Sequence, residues 1–285
     1  MANCMLGFPN RADQSTLSGG AWVSTLPLQN LQSREIGEVA RTTDTSLAST
    51  QITIDLGRSM KTQIIALRNH NLSITAEYRV TGSLTADFSV LAHDSGWTDV
   101  WPVIYPWGAL EWEDDNWWTG KYTKEEREGY TTELDHLLPA AKLGRYWRVE
   151  IRDVGNPAGF IQIGRLFIGP AWQTVINMIY GASLGWETKT EVREAKSGAE
   201  YFDERTPYRV KKFSLSWMEQ DEAFTKAFEL QRQAGIHAEI LFIHDPADTM
   251  HSLRRRFMCR MRTLSPIEYV QLDINSTAFE LKEIL

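Results

Sequence analysis

The chain has 285 residues, enough for one large domain or two ordinary ones that each bury a core. Its 42% apolar and 24% charged residues are those of a globular protein and exclude a disordered chain. A formal charge of −7 argues against a dedicated duplex-DNA binder, whose affinity comes from clustered Lys and Arg.

The opening, MANCMLGFPNRADQ, lacks the apolar centre of a signal peptide, and no apolar run reaches the ~18 residues of a membrane span. Folding in a cytoplasm and no membrane insertion are therefore expected. Cys4 and Cys259 have no metal-like spacing, so neither a disulfide nor a zinc site is expected. Short alternating runs bounded by Gly, Pro, Asn and Asp predict half-buried antiparallel strands. Residues 51–56 place Ile52, Ile54 and Leu56 on one face, and 146–152 do the same with Trp147, Val149 and Ile151. Further strands are predicted at 63–68, 76–82, 160–168, 187–194, 209–217, 238–244, 257–264 and 278–284.

Between 97 and 143 the strand pattern lapses into aromatic, acidic and Gly/Pro-rich sequence, which reads as an ordered insertion. A boundary at Gly169-Pro170 divides the chain into units 1–172 and 173–285. The polar loop 195–208 is too long for a tight hairpin. A helix is predicted at about 217–234, with Ser216 and Glu219 as a capping box, an inward stripe of Gln220 or Ala223, Phe224, Ala227, Phe228 and Gln231 or Leu230, and Gly235 as its stop. The continuous apolar run in AEILFIHD predicts a strand covered on both faces beneath that helix.

The phrases LPLQNLQ (26–32), ART (40–42), ITIDLG (52–57), ALRNHNLS (66–73), YRVTGS (78–83), YWRVEI (146–151) and FIQIGRLFIGPAWQ (160–173) resemble the galactose-binding, discoidin-like β-sandwich of phage and prophage tail proteins. LGWETKTEVRE (184–194), YFDERTPYRVKKFSLSW (201–217), the AF…ELQRQAG helix, EILFIHD (239–245) and LSPIEY (264–269) resemble the C-terminal region of the same proteins. The resemblance implies a mainly β chain. It pairs a jelly-roll or discoidin-like β-sandwich with a tail-tube-like β-sandwich or barrel carrying one α-helix. It also implies a non-enzymatic virion protein of the distal tail or baseplate, forming a ring, hexameric first and trimeric second. Such a ring joins the tail tube to hub, tip or fibres and leaves a channel for DNA in transit. Loop 195–208 then resembles the arm that reaches a neighbouring ring.

Candidate sites follow from composition. Trp101, Trp107, Trp112, Trp117 and Trp118 lie within the insertion beside Glu111, Glu113, Asp114 and Asp115, a pattern suited to protein docking or to stacking on host-surface glycan. A lectin-like virion module is therefore the alternative function. Calcium at the EDD run lacks the glycine-spaced ligand loop. Arg254, Arg255 and Arg256, on a strand, would divide their charge between two faces and are expected at an intersubunit contact. Asn69, His70 and Asn71 crowd polar groups into one turn, but no nucleophile or metal motif accompanies them. No catalytic residue, cofactor or metal is expected.

Overall fold

The computed structural model describes residues 2–285 and is mainly β, built from two antiparallel sheets that pack on each other. In the first sheet the strand order is Arg165–Gly169, Gln51–Arg68, Glu133–Arg152, Glu77–Ser83 and Leu91–Asp94, with Thr16–Ser18 and Thr98–Asp99 at its margins. The strands predicted at 51–56 and 63–68 are one strand that shifts register against Glu133–Arg152 between Asp55 and Met60 and again between Thr62 and Ile64. These shifts turn a single strand through a sandwich corner. Ile52 and Ile54 from its first half and Ile65 and Leu67 from its second therefore share one core with Trp147, Val149 and Leu166. The partner strand begins at Glu133, so the insertion ends at 132 and not at the expected 143.

The second sheet runs Ala171–Gln173, Met5–Gly7, Ile240–Ile243, Arg256–Thr263, Ile274–Glu283, Tyr208–Glu219 and Ser183–Glu187. Two departures from the expected boundary stand out. Met5–Gly7 pairs with Ala171–Gln173 and with Ile240–Ile243, which puts the start of the chain in the second sheet. The strand before Pro170 belongs to the first sheet and the strand after it to the second. The helix starts at Gln220, because the strand through Trp217 continues to Glu219 and Ser216 bonds Ser276 across the sheet instead of capping. A wide, π-type turn over Ala223–Phe228 shifts the inward phase of this helix. Ala223, Ala227, Leu230 and Ala234 face Phe213, Phe242 and Phe279, while Phe228, expected inside, is 49% exposed. Gly235 ends the helix at φ +53°, a backbone region that favours glycine.

The two sheets meet face to face through Ile64, Ala66 and Phe167 on one side and Met5, Leu241, Ile243 and Met258 on the other. The apolar runs IIAL, LFI and ILFI are continuous because both faces of these strands are covered. In ILFI, Ile240 and Phe242 point to the helix and Leu241 and Ile243 to the first sheet.

Buried ions rivet this contact at two places. Arg165 is wholly buried and reaches Asp13 at 2.6 Å and Glu239 of the second unit. Arg68, Glu133 and Asp135 of the first sheet face Arg209 and Glu283 of the second, every side chain at most 5% exposed. Arg68 lies 3.1 Å from Glu133 and 2.7 Å from Asp135, and Arg209 lies 3.5 Å from Glu133 and bonds Glu283 directly. Three carboxylates face two guanidiniums, so an uptake of one proton leaves this buried cluster neutral. Burial, opposed by Arg68 and Arg209 and assisted by Asp135 and Glu283, pushes Glu133 up to about 8.

A carboxyl whose folded value lies above its unfolded one stabilises fully below the unfolded value and loses that contribution as pH rises through the folded value. Stability is therefore expected to fall from about pH 4.5, where the unfolded carboxyl ionises, to about pH 8, where the folded one does, measured as urea midpoints. Glu133→Gln, which fixes the neutral form, flattens that slope. Arg209→Met, which strands the carboxylates, costs ~3–5 kcal/mol. A wild-type midpoint that holds steady over this range contradicts the proton assignment.

Candidate functional site

The insertion between the first-sheet strands is held from below. Asn116 donates its side-chain amide to the Lys121 carbonyl at 2.8 Å, and Tyr105 donates to Glu126. Thr123 and Glu126 form a capping box on the short helix Lys124–Arg127. Tyr122 donates to the Met250 carbonyl at 2.5 Å, and Arg254 pairs with Glu126 at 3.5 Å, so the base of the insertion is fastened to the second unit.

On that base the five tryptophans divide. Trp101 is only 3% exposed; it packs 5.7 Å from His70 and donates to the Leu72 carbonyl. It is a core residue, which corrects its expected place among the contact residues. Trp107, Trp112 and Trp118 are 89%, 77% and 86% exposed. Trp117 lies between its neighbours, 5.4 Å from Trp107 and 4.6 Å, edge to face, from Trp118. The exposed carboxylates of Glu111, Glu113, Asp114 and Asp115 interleave with these rings, and Asp114 accepts from the Glu111 backbone N–H at 2.8 Å. The result is an exposed cluster of indoles set at steep angles to one another, with exposed carboxylates adjacent in sequence. Among the described residues no group of His, Cys, Asp or Glu is arranged to hold a metal ion, the EDD run included.

The turn at Asn69, His70 and Asn71 is a structural staple. Asn69, at φ +54°, donates to the Ile36 carbonyl, and Asn71 donates to Phe160 and accepts from Gln162. His70 accepts from the Leu72 backbone N–H and is held down to about 4 by burial, so it is neutral at physiological pH.

Arg254, Arg255 and Arg256 do not share a strand. Arg254 and Arg255 belong to the helical turn Ser252–Arg255, and Arg256 opens the next strand. Arg254 pairs with Glu126, Arg255 with Asp248 at 3.0 Å, and Arg256 donates to the Pro246 and Asp248 carbonyls. Their charge is used within the chain, fastening the insertion and the 244–251 loop, and the strand expected to carry all three begins only at Arg256.

Two features were not legible beforehand. Tyr78, His136 and His93 form a relay with Oη···Nδ1 of 3.3 Å and Nε2···Nε2 of 2.8 Å, both imidazoles pushed down chiefly by burial. Their separation in sequence carries no signal. The second is the strand Glu200–Asp203, which lies within the expected loop 195–208 and makes a hairpin with Glu191–Glu194, the end of the strand expected at 187–194. Every residue of both strands is exposed, Val192 at 55%, Tyr201 at 65% and Phe202 at 56%. Tyr180, Tyr269 and Leu272 are exposed by 74% or more elsewhere on the second unit. Cys4 and Cys259 are buried free thiols, raised by burial.

No family model matches this sequence, and no curated protein matches it. Among solved structures, the chain is similar to the lectin domain of lectinolysin complexed with Lewis B antigen, at 13% identity and a TM-score of 0.37 over 59% of this chain and 99% of that one. A family 32 carbohydrate-binding module of NanJ from C. perfringens, in complex with galactose, matches at 12% identity and a TM-score of 0.37, covering 59% and 99%. CBM32-1 from a family 31 glycoside hydrolase of Clostridium perfringens matches at 10% identity and a TM-score of 0.36, covering 57% and 99%.

Burial predicts the response of the tryptophans to substitution. Trp101→Ala is expected to cost ~3–5 kcal/mol. Trp112→Ser and Trp118→Ser are each expected to stay within ~0.5 kcal/mol of the parent. Thermal unfolding of the three variants separates the core ring from the surface rings, and equal losses contradict the assignment.

Proposed function

We propose that this chain is a non-enzymatic structural subunit of a bacteriophage tail, a ring-forming protein of the distal tail or baseplate that works by being covered by copies of itself and by neighbouring virion proteins. The observation that carries this reading is the hairpin 191–203, whose eight strand residues are all exposed. A two-stranded ribbon without a core beneath it is marginally stable in water, and one that displays Val192, Tyr201 and Phe202 gains its stability where a partner buries them. The strand Ser183–Glu187 ends the second sheet with an unpaired edge, and an edge of this kind is a joint for another chain. In a closed ring every such joint is satisfied at once, and interfaces of ~2,000 Å² or more make the assembly effectively permanent. The first unit then projects to hold fibres or hub, and DNA passes through the channel without being gripped.

A second reading, a virion carbohydrate-binding module, is favoured by the exposed Trp107, Trp112 and Trp118 with the exposed carboxylates adjacent in sequence. Indole faces suit the apolar face of a pyranose, and carboxylates accept from its hydroxyls.

Replacing residues 191–203 by a short glycine linker is expected to leave the thermal midpoint nearly unchanged and to abolish rings seen by negative-stain electron microscopy. Rings that persist without the hairpin contradict its role. Retention of wild-type protein on a glycan array, lost in Trp112→Ser, favours the second reading.

A further inference from the structure

A cavity of about 600 Å³ opens at the root of the hairpin, lined by Lys189, Arg205, Tyr208, Arg260 and Lys282. It runs on into a hollow shared by the same Lys189, Tyr208, Arg260 and Lys282 and extended by Ile236 and Arg262. The charges in this trough do not cancel. Arg205 is occupied by Asp203 at 2.9 Å, and Arg262 by Glu187 and Glu280 at 2.8 and 3.1 Å. Of the carboxylates that line it, Glu191 lies 3.4 Å from Arg193 and Glu283 is bound to Arg209. Lys189, Arg260 and Lys282 are left without an ion-pair partner among the described residues. Lys282 is pushed down by partial burial and then by Lys189, Arg260 and Arg262, the response of an amine in an over-positive site. Its ammonium lies 4.0 Å over the Tyr208 ring, and Ile236, 56% exposed, adds an apolar wall.

The opposite surface exists on the same chain. Glu111, Glu113, Asp114 and Asp115 are exposed and lack an ion-pair partner among the described residues, and Trp107, Trp112 and Trp118 flank them. Taking the ring-forming reading as its basis, we propose that the trough of one copy receives the acidic, tryptophan-flanked loop 107–118 of the next copy. The loop supplies carboxylates for the three unpaired cations and an indole for the wall of Tyr208 and Ile236. A nucleic-acid strand is the less favoured occupant, because a chain of formal charge −7 offers only these three unpaired cations along the trough. A head-to-tail contact between unlike patches is also the kind that closes a ring.

The test is charge exchange. One variant carries Lys189→Glu, Arg260→Glu and Lys282→Glu; a second carries Glu113→Lys, Asp114→Lys and Asp115→Lys. Sedimentation velocity of the full chain is expected to show each variant alone self-associating at least about tenfold more weakly than wild type, and an equimolar mixture of the two recovering association. All substituted residues but the half-buried Lys282 are exposed, and circular dichroism melts verify the folds; if the triple trough variant does not fold, Lys189→Gln with Arg260→Gln replaces it and the same weakening is expected. Variants that associate like a ring-forming wild type overturn the pairing and leave the ring reading standing. A wild type that stays monomeric overturns both. Weakening by either variant without recovery in the mixture overturns the pairing. So does a trough variant that associates normally but loses retention of a short DNA duplex.

Discussion

The constraint on which the rest of the structure depends is the fusion of the two sheets through fully buried arginines. Arg165 reaches across the contact to Glu239, and Arg209 reaches across it to Glu133 while bonding Glu283 of its own sheet. Removing a charge from water is costly, and a buried pair offsets that cost only where its geometry and remaining hydrogen bonds are complete. Arg165 meets that condition with two carboxylates and the Leu31 carbonyl, whereas Arg209 bonds Glu283 and the Leu253 carbonyl but leaves its Nε without a partner. Such networks hold one relative placement of the sheets, while Ile64, Phe167, Leu241 and Ile243 provide the apolar contact around them.

This rigid union explains where the exposed features stand. The Trp-rich insertion is fastened to the second unit by Tyr122 and Arg254, and the hairpin 191–203 stems from strands of the second sheet. Two exposed elements are thus displayed from one body at fixed positions. A subunit that closes a ring needs that property, because an error in angle at each joint accumulates around the circle.

Most strands were legible in the sequence, since Ile52, Ile54 and Leu56 or Trp147, Val149 and Ile151 alternate as a pleated strand requires. Runs such as ILFI announced strands covered on both faces, although they could not say that the cover on one side is a second sheet. The helix was visible in its composition, but its phase was only partly so, because the π-type turn at Ala223–Phe228 leaves Phe228 facing outward. Met5–Gly7 escaped because a short strand takes its sheet from its partners and carries too few residues to show which. At the candidate site, composition found the Trp cluster but could not separate buried Trp101 from exposed Trp112. The arginine run looked like a surface patch because its partners, Glu126, Asp248 and the Pro246 carbonyl, come together only on folding. The trough escaped for the same reason, as Lys189, Arg260 and Lys282 lie on separate segments.

The central claim is that this chain is a rigid body with surfaces meant to be covered, and amide hydrogen exchange compared between the free chain and its assembled state tests it most directly. Amides of 64–68, 165–169 and 240–243 are expected to be slow in both states, whereas those of 107–118 and 191–203 exchange fast in the free chain and become protected on assembly. Fast exchange at 107–118 and 191–203 in both states, or early opening between the two sheets, contradicts it.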